Sequence, residues 1–429
     1  MMYLLGIIVL LLGLVVSVAL HEMGHLLPAK KFGAMVPEYW IGFGPELYSR
    51  TIRGTVYGIK AVLLGGFVRI VGMFPPANVV GKSDVVDQAP VLDSATGAAT
   101  GTRMTMVQQA REQSAEEIAE ARADGLKGRA FYELSTPKKL VVMLGGPVMN
   151  LLLAVVLTLI VVMGFGWRET TTTIDSLAAD PTTGVQLADS PAAVAGLQPG
   201  DVVTAWGGVP VDSWAQLREL MADSGTSPTE ITVMRDGAPL SLEVTPQEGE
   251  DGVPRVGIVA QQVRVRGSVG DAGSQVWQQL YGTGAAIVRL PVSLWQLGTS
   301  FVTGEERDPA GVVSVVGVAR VAGEVSSLGE SNGVSFADRA AMMLSLLAAL
   351  NIALFVFNLI PLPPLDGGHV AGALWGGARN TWARMRGKPR PRPVDTARMV
   401  PVSYVMFLIL MVMTVVLVAA DLFKPLSLT

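Results

Sequence analysis

Four stretches of the chain stay apolar for about twenty residues or longer with almost no charge inside them: Met1–Leu20, Lys139–Trp167, Ala340–Leu362 and Met399–Phe423. As a helix, each is long enough to cross a hydrocarbon core roughly 30 Å thick. Two weaker apolar stretches, "GAAIVRLPVSLWQLG" (284–298) and "AGVVSVVGVARVAG" (310–323), contain Arg289 and Arg320 and read as surface-lying or partly embedded segments. From Ile41 to Gly72 the pattern changes to alternation, rich in Gly, Val and Ile and broken by turns, which predicts β-hairpins. Two apolar patches there, "IGFG" and "AVLLGGFV", suit a sheet that enters the membrane region under cover of other protein. Residues 79–136 are polar, and one acidic piece, "SAEEIAEARADG", reads as a solvated helix. Residues 170–262 alternate a short helix, strands and tight turns at Pro199-Gly200-Asp201 and Asp236-Gly237, the pattern of a folded αβ module.

The expected fold class is therefore a polytopic α-helical membrane protein. It has about four transmembrane helices, a membrane-associated β-hairpin segment on the cytoplasmic side and one extracytoplasmic α+β domain. The divisions are 1–27, the first span; 28–75, the hairpin segment; 76–138, a polar insert; and 139–167, the second span. They continue with 168–265, the α+β domain; 266–335, interfacial linker segments; 336–376, the third span and the loop after it; 377–398, a basic loop; and 399–423, the fourth span.

Charge sets the orientation. The loop 377–398 carries Arg379, Arg384, Arg386, Lys388, Arg390, Arg392 and Arg398 against one acid, Asp395, and basic loops stay in the cytoplasm. Parity then puts residues 28–138 in the cytoplasm, with residues 168–335 and both termini outside. The opening stretch lacks a basic lead and a small-x-small cleavage site, so it reads as a span of a multi-pass plasma or inner membrane protein rather than a signal peptide. Of 429 residues half are hydrophobic and 16% charged, and the net charge of −4 gives no field that would favour nucleic acid.

Composition also narrows the chemistry. The chain has no cysteine and three histidines, so a metal would have to be held by His, Asp or Glu. Two of the histidines close the first span as His21-Glu22-Met23-Gly24-His25, an H-E-x-x-H motif. On a helix, positions i and i+4 share a face, so both imidazoles can bind one Zn²⁺. Glu22 falls about 100° round from His21, within reach of a water at the metal. Zinc acidifies such a water, and the carboxylate takes its proton as it attacks a carbonyl. A carboxylate at the end of an apolar span is costly without a partner, which disfavours two helix-capping histidines as the explanation.

A catalytic zinc needs a third protein ligand. The third span runs into "FNLIPLPPLDGGHV", where Asp366 is the only acid and Pro361, Pro363 and Pro364 should break the helix just before it. Spans one and three run in the same direction, and each polar group follows some twenty apolar residues. His21, His25 and Asp366 should therefore lie at one depth. A helix N-cap is the alternative role for Asp366, and His369 is a rival ligand. Asn150 and Asn358 are amides within apolar helices. They are suited either to helix–helix hydrogen bonds or to assisting at a tetrahedral oxyanion or an unwound substrate backbone. A membrane-anchored scaffold or an ion transporter would use the same buried groups without needing Glu22.

With HEMGH at 21–25, "GFGP" at 42–45, "LGGFV" at 64–68, "GPVMN" at 146–150, "AGLQPGDVV" at 195–203 and "NLIPLPPLDGG" at 358–368, the chain resembles the site-2 protease family of intramembrane zinc metalloproteases. It looks most like bacterial members with one PDZ domain, of the regulator of sigma-E protease type. The resemblance implies Zn²⁺ on His21, His25 and Asp366, Glu22 as general base, and Asn150 and Asn358 assisting. It implies that 168–265 is PDZ-like and that the activity is regulated intramembrane proteolysis. The substrate would be a transmembrane protein in the lipid bilayer, such as an anti-sigma factor first trimmed by a site-1-type protease, or a remnant signal peptide. The family often has Pro before "LGG", where this chain has Leu63.

Overall fold

The computed structural model describes residues 1–80, 88–92, 99–177, 190–249, 252–303, 313–329, 334–389 and 391–423. It divides into two units, Met1–Val161 with Val269–Thr429, and Val162–Ser268.

In the first unit, four helices among the described residues are long and apolar enough to cross a membrane: Met2–Lys31, Thr136–Phe165, Phe336–Asn358 and Thr396–Phe423. The first, α1 (Met2–Lys31), ends with Lys30 and Lys31 in its last turn, where positive charge suits the carbonyl end. Its successor residue Gly33 turns away at φ +75°. A β-sheet follows. Strand β1 (Glu38–Ile52) bends at Gly42 and Gly44, and β2 (Thr55–Arg69) bends at Gly65, all three with positive φ. The outer halves pair from Tyr48 opposite Ile59 to Ile52 opposite Thr55, and the inner halves from Glu38 opposite Arg69 to Ile41 opposite Gly66. Glu38 to Ile41 also lie beside Val56 to Ile59. Four short segments thus lie side by side in the order 46–52, 55–60, 38–41 and 66–69, with 66–69 on an edge. The tyrosine hydroxyl of Tyr39 donates to the Ala19 carbonyl at 2.8 Å and fixes the sheet to α1.

Helix α2 (Ala77–Val80) and the strand pair β3 (Gln88–Leu92) and β4 (Ala99–Met104) lead to α3 (Met106–Ala123), which opens with a Thr105/Gln108 capping box. The sequence predicts a solvated helix here, but α3 is docked. Ile118 and Ala121 pack with Met35, Val71 and Ala130, and Ser114 donates to the Phe74 carbonyl at 2.6 Å. Its Arg111, 5% exposed, pairs with Asp395. The acidic residues that suggested solvation occupy only the outer face.

Helix α4 (Thr136–Leu159) continues through a wider turn, Ile160–Phe165, and crosses α1 at glycines: a Cβ on Gly145 would fall 1.9 Å from the Gly24 carbonyl oxygen. Close backbone approach at small residues is how helices pack in lipid. The two apolar stretches between 266 and 335 belong to helices α7 (Val269–Thr303) and α8 (Val315–Ser327). Rather than lying free on a surface, α8 packs on α1, where Gly6 meets Ala322 and Tyr3 meets Gly323. Helix α7 packs on α4 and on α9 (Phe336–Asn358) through Val276. After α9 come α10 (Asp366–Met385) and α11 (Val400–Phe423). Asp421 of α11 accepts from the backbone amides of Ser314 (2.6 Å) and Gly317 (3.2 Å), capping α8.

The second unit is a β-sheet with helices. Its strand path is β12 (Ile258–Val265), β5 (Trp167–Leu177), β6 (Val202–Trp206), β8 (Thr229–Arg235), β9 (Ala238–Val244), and β7 (Val209–Pro210) pairs with β6. Strands β10 (Gln247–Glu248) and β11 (Pro254–Arg255) form a separate pair. Helices α5 (Pro191–Val194) and α6 (Trp214–Ser224) complete it, and α6 buries Leu217 and Met221 in a core with Ile174, Trp206, Ile231 and Val233. The turn at Asp236-Gly237 has positive φ at both residues, as a two-residue hairpin of this twist requires. Asp201, 1% exposed, is held by two Arg235 nitrogens at 2.7 Å each. That guanidinium keeps the Asp201 carboxyl below the usual carboxylate range.

Candidate active site

His21 and His25 stand one turn apart on α1 with their rings edge to face, centroids 4.9 Å apart. Asp366 is the first residue of α10. The loop from α9 folds back over Gly367 and Gly368, where a Cβ would sit 2.1 Å from the Ile360 carbonyl oxygen and 2.7 Å from the Pro363 nitrogen. Only glycine lets the Pro-rich segment close so tightly and deliver Asp366 to α1. The sequence expectation that these three residues meet is therefore realised across more than 300 residues of chain.

The three facing atoms form a nearly regular triangle. His21 Nε2 to His25 Nε2 is 3.2 Å, His21 Nε2 to Asp366 Oδ2 is 3.3 Å, and His25 Nε2 to Asp366 Oδ2 is 3.4 Å. A tetrahedral ion with bonds near 2.0 Å has ligand–ligand edges of about 3.3 Å, so the triangle is one face of such a site. The tautomer of His25 agrees. His25 Nδ1 lies 2.7 Å from the Val142 carbonyl oxygen, which can only accept, so Nδ1 carries the proton and Nε2 presents a lone pair to the centre. His21 Nδ1 lies 3.1 Å from the Asn150 side-chain amide. Two imidazole nitrogens and a carboxylate oxygen converge on one point, and this donor set suits zinc.

Glu22 sits beside this face and not in it. It packs against the 66–69 edge, where a Cβ on Gly66 would lie 3.3 Å from Glu22 Cγ. The same edge glycine is flanked by Val18 of α1. The base candidate, the ligand face and an open sheet edge therefore adjoin one another. Gly146 makes room for the site from the other side, since a Cβ there would fall 2.2 Å from His25 Nε2.

The signature of peptidase family M50 spans residues 9–413. The chain belongs to this family, the site-2 proteases. Among characterised relatives, zinc metalloprotease Rip1 of Mycobacterium bovis is 30% identical over the full length of both chains. Zinc metalloprotease Rip1 of Mycolicibacterium smegmatis is 29% identical over 100% of this chain and 99% of its own. Metalloprotease MmpA of Caulobacter vibrioides is 26% identical over 86% and 85%. This M50 protein is a zinc metalloprotease with four membrane-length helices.

Of the other residues singled out in the sequence, Asn150 is buried against His21. Asn358 is the last residue of α9, half-buried, and makes no hydrogen bond to the His–His–Asp cluster among the described residues. His369 lies one turn further along α10, near Phe74, and is not one of the three converging groups. Two residues escaped the sequence reading. Asn351, fully buried in α9, donates to Ser17 Oγ at 2.9 Å and to the Leu347 carbonyl at 2.8 Å. Ser17 lies four residues before His21, on the same face. An amide in mid-span and a serine in register with the metal ligands were the available signals.

Proposed function

We propose that this zinc metalloprotease hydrolyses peptide bonds within transmembrane segments of membrane proteins. The observation that supports this reading best is the position of the ligand triangle and Glu22, at the inner end of α1 after some twenty apolar residues and against the 66–69 sheet edge. A peptide bond in a transmembrane helix is shielded by its side chains and bonded to its own turn, so it has to be unwound before it can be cut. The outward backbone groups around Gly66 offer hydrogen bonds to such an unwound strand by strand addition. His21, His25 and Asp366 hold the zinc, which when bound supplies Lewis-acid activation. Glu22 takes the proton of the attacking water and delivers it to the leaving amine. Asn150 orients His21, and Asn358, at the end of α9 before the Pro-rich loop, faces the substrate backbone.

In this reading the basic loop 377–398 and the ends of α1 and α4 are cytoplasmic, so the active site opens toward the cytoplasm of a plasma or inner membrane. The second unit is then an extracytoplasmic PDZ-like domain that selects substrates, either by holding a new C-terminal carboxylate or by excluding bulky ectodomains. The process served is regulated intramembrane proteolysis, with an anti-sigma factor or remnant signal peptide as substrate after a site-1-type cut. The test compares membrane-protein fragments in cells carrying wild type or Glu22→Gln. The variant should accumulate uncut transmembrane fragments while purifying with its zinc. Cleavage by Glu22→Gln at near the wild-type rate would remove the base from the mechanism.

A further inference from the structure

Away from the zinc face, the first unit holds a cavity of about 410 Å³ between α10, the start of α4 and the segment that leads into α11. Lys139, Arg379 and Arg392 line it against a single acid, Glu133. Glu133 is already engaged, accepting from the Ala130 amide at 3.0 Å. A second space of about 380 Å³ adjoins it and shares Arg379 and Arg392. Its one acid, Asp395, is taken by Arg111 and Arg398. Arg379 and Arg392 reach only backbone carbonyls, those of Arg392 at 3.4 Å and Val80 at 3.5 Å, and face no carboxylate among the described residues. Two guanidiniums with forked donors thus border both spaces with no carboxylate to match them among the described residues.

The opposite wall adds donors and room. Thr136, the first residue of α4, lines the cavity, and Ser135 before it makes no side-chain cap. Pro137 has no N–H, so the backbone donor of the helix start that borders the cavity is the Thr136 amide. Helix α10 presents Gly372 and Gly376 to the space; a Cβ on Gly376 would already stand 3.2 Å from Val394. The level of the cavity is informative too. Thr136 and Thr396, both in its wall, are the first residues of two membrane-length apolar helices. That is the depth of the headgroup layer, where basic pockets between helices receive lipid phosphates.

We infer that this cavity is a phosphate-binding site that takes the phosphate of an anionic phospholipid headgroup or of a soluble phosphate compound, clasped by Arg379 and Arg392. Because α10 begins at Asp366, an occupant would brace the helix that presents the third zinc ligand. The inference stands apart from the hydrolytic reading, and its test uses no activity.

The full chain is reconstituted in nanodiscs of phosphatidylcholine with phosphatidylglycerol, and the phosphatidylglycerol retained after delipidation is counted by native mass spectrometry. Arg379→Gln/Arg392→Gln should retain about thirtyfold less, given the roughly 1 kcal/mol that each basic residue near a membrane surface contributes. Arg384→Gln/Arg386→Gln, the same charge change on the same basic stretch but outside both cavities, should retain as much as wild type. Gly376→Leu keeps every charge and fills the space, so it should lose the lipid as the double variant does, and it decides the matter if the double variant does not fold. In the second arm, pyrophosphate is added to protein in neutral detergent and thermal unfolding is followed. Protection of wild type that both cavity variants lose assigns the site to soluble phosphates. No retention and no protection, or equal loss in the Arg384/Arg386 control, overturns the site.

Discussion

At the scale of single residues, the orientation of one side-chain amide controls a zinc ligand. For His21 to turn Nε2 to the metal, its Nδ1 must carry the proton and donate it, and the group 3.1 Å away is the Asn150 amide. The Asn150 oxygen is then the acceptor, and turning the amide by 180° gives that oxygen the partner it otherwise lacks in a fully buried position. Asn150→Leu should therefore weaken zinc binding by about 10–100-fold, the usual effect of losing a group that orients a metal ligand. Asn150→Asp retains an acceptor and should hold zinc within a few-fold of wild type. Competition with a fluorescent zinc chelator reads both, and equal affinity in Asn150→Leu would show that His21 is oriented by something else. The pairing of His21 and His25 was legible in HEMGH because a helix repeats its face every four residues. The carbonyl of Val142, which orients His25 at 2.7 Å, was not, because backbone groups carry no residue identity.

At the scale of elements, the site depends on where two helices can touch. Gly24, Gly145 and Gly146 bring α1 and α4 together so closely that His25 Nε2 occupies the space a Gly146 side chain would need. Alanine is the better helix former by about 1 kcal/mol, so Gly146→Ala should leave α4 intact or firmer. It should nevertheless displace His25 and abolish tight zinc binding. Circular dichroism with zinc analysis separates the two effects, and a Gly146→Ala protein with full zinc would show that α1 and α4 can slide apart at no cost to the site. The four membrane-length helices were legible from hydropathy, and the bent sheet from its glycines and alternation. The docking of α3 and α8 was not. Each buries a narrow strip: Ile118 and Ala121 in one, Gly317, Ala322 and Gly323 in the other. Small residues give little hydrophobic signal, yet they permit the closest packing. Asn351 and Ser17 tie α9 to α1 one turn before His21. Asn351→Leu should cost roughly 1 kcal/mol of helix association, visible as a lower unfolding temperature of the zinc-loaded protein. An unchanged temperature would assign that contact no role in joining the helices.

At the scale of the whole molecule, the convergence of His21, His25 and Asp366 was legible because spans one and three run the same way and carry their polar groups to the same depth. All three residues lie in the first unit, and the second unit has its own core and its own buried ion pair. Metal removal should therefore act on the first unit alone. In the proposed site zinc would bind only the folded first unit, so its removal would subtract RT ln(1 + [Zn]/Kd) from that unit's stability, about 4 kcal/mol when free zinc exceeds Kd a thousandfold. A chelator should lower the unfolding temperature of the first unit and leave that of the second unchanged. Acid strips the metal too, and in addition reaches the second unit. Asp201 titrates below its unfolded value because Arg235 holds the charged form, so its contribution is whole above the ordinary carboxylate pKa of about 4. That contribution is lost as pH falls through the lower, folded value. Arg235→Met removes the contribution at every pH, so the second unit of that variant should unfold at a lower temperature near neutral pH and show a smaller further loss on acidification. Hydrogen exchange followed by mass spectrometry assigns each transition, with peptides around Leu217 and Ile231 reporting the second unit and peptides around Ala154 and Ile352 the first. If chelation moved both sets of peptides together, the two cores would be one cooperative block, and the second unit could not act as a separately folded substrate selector.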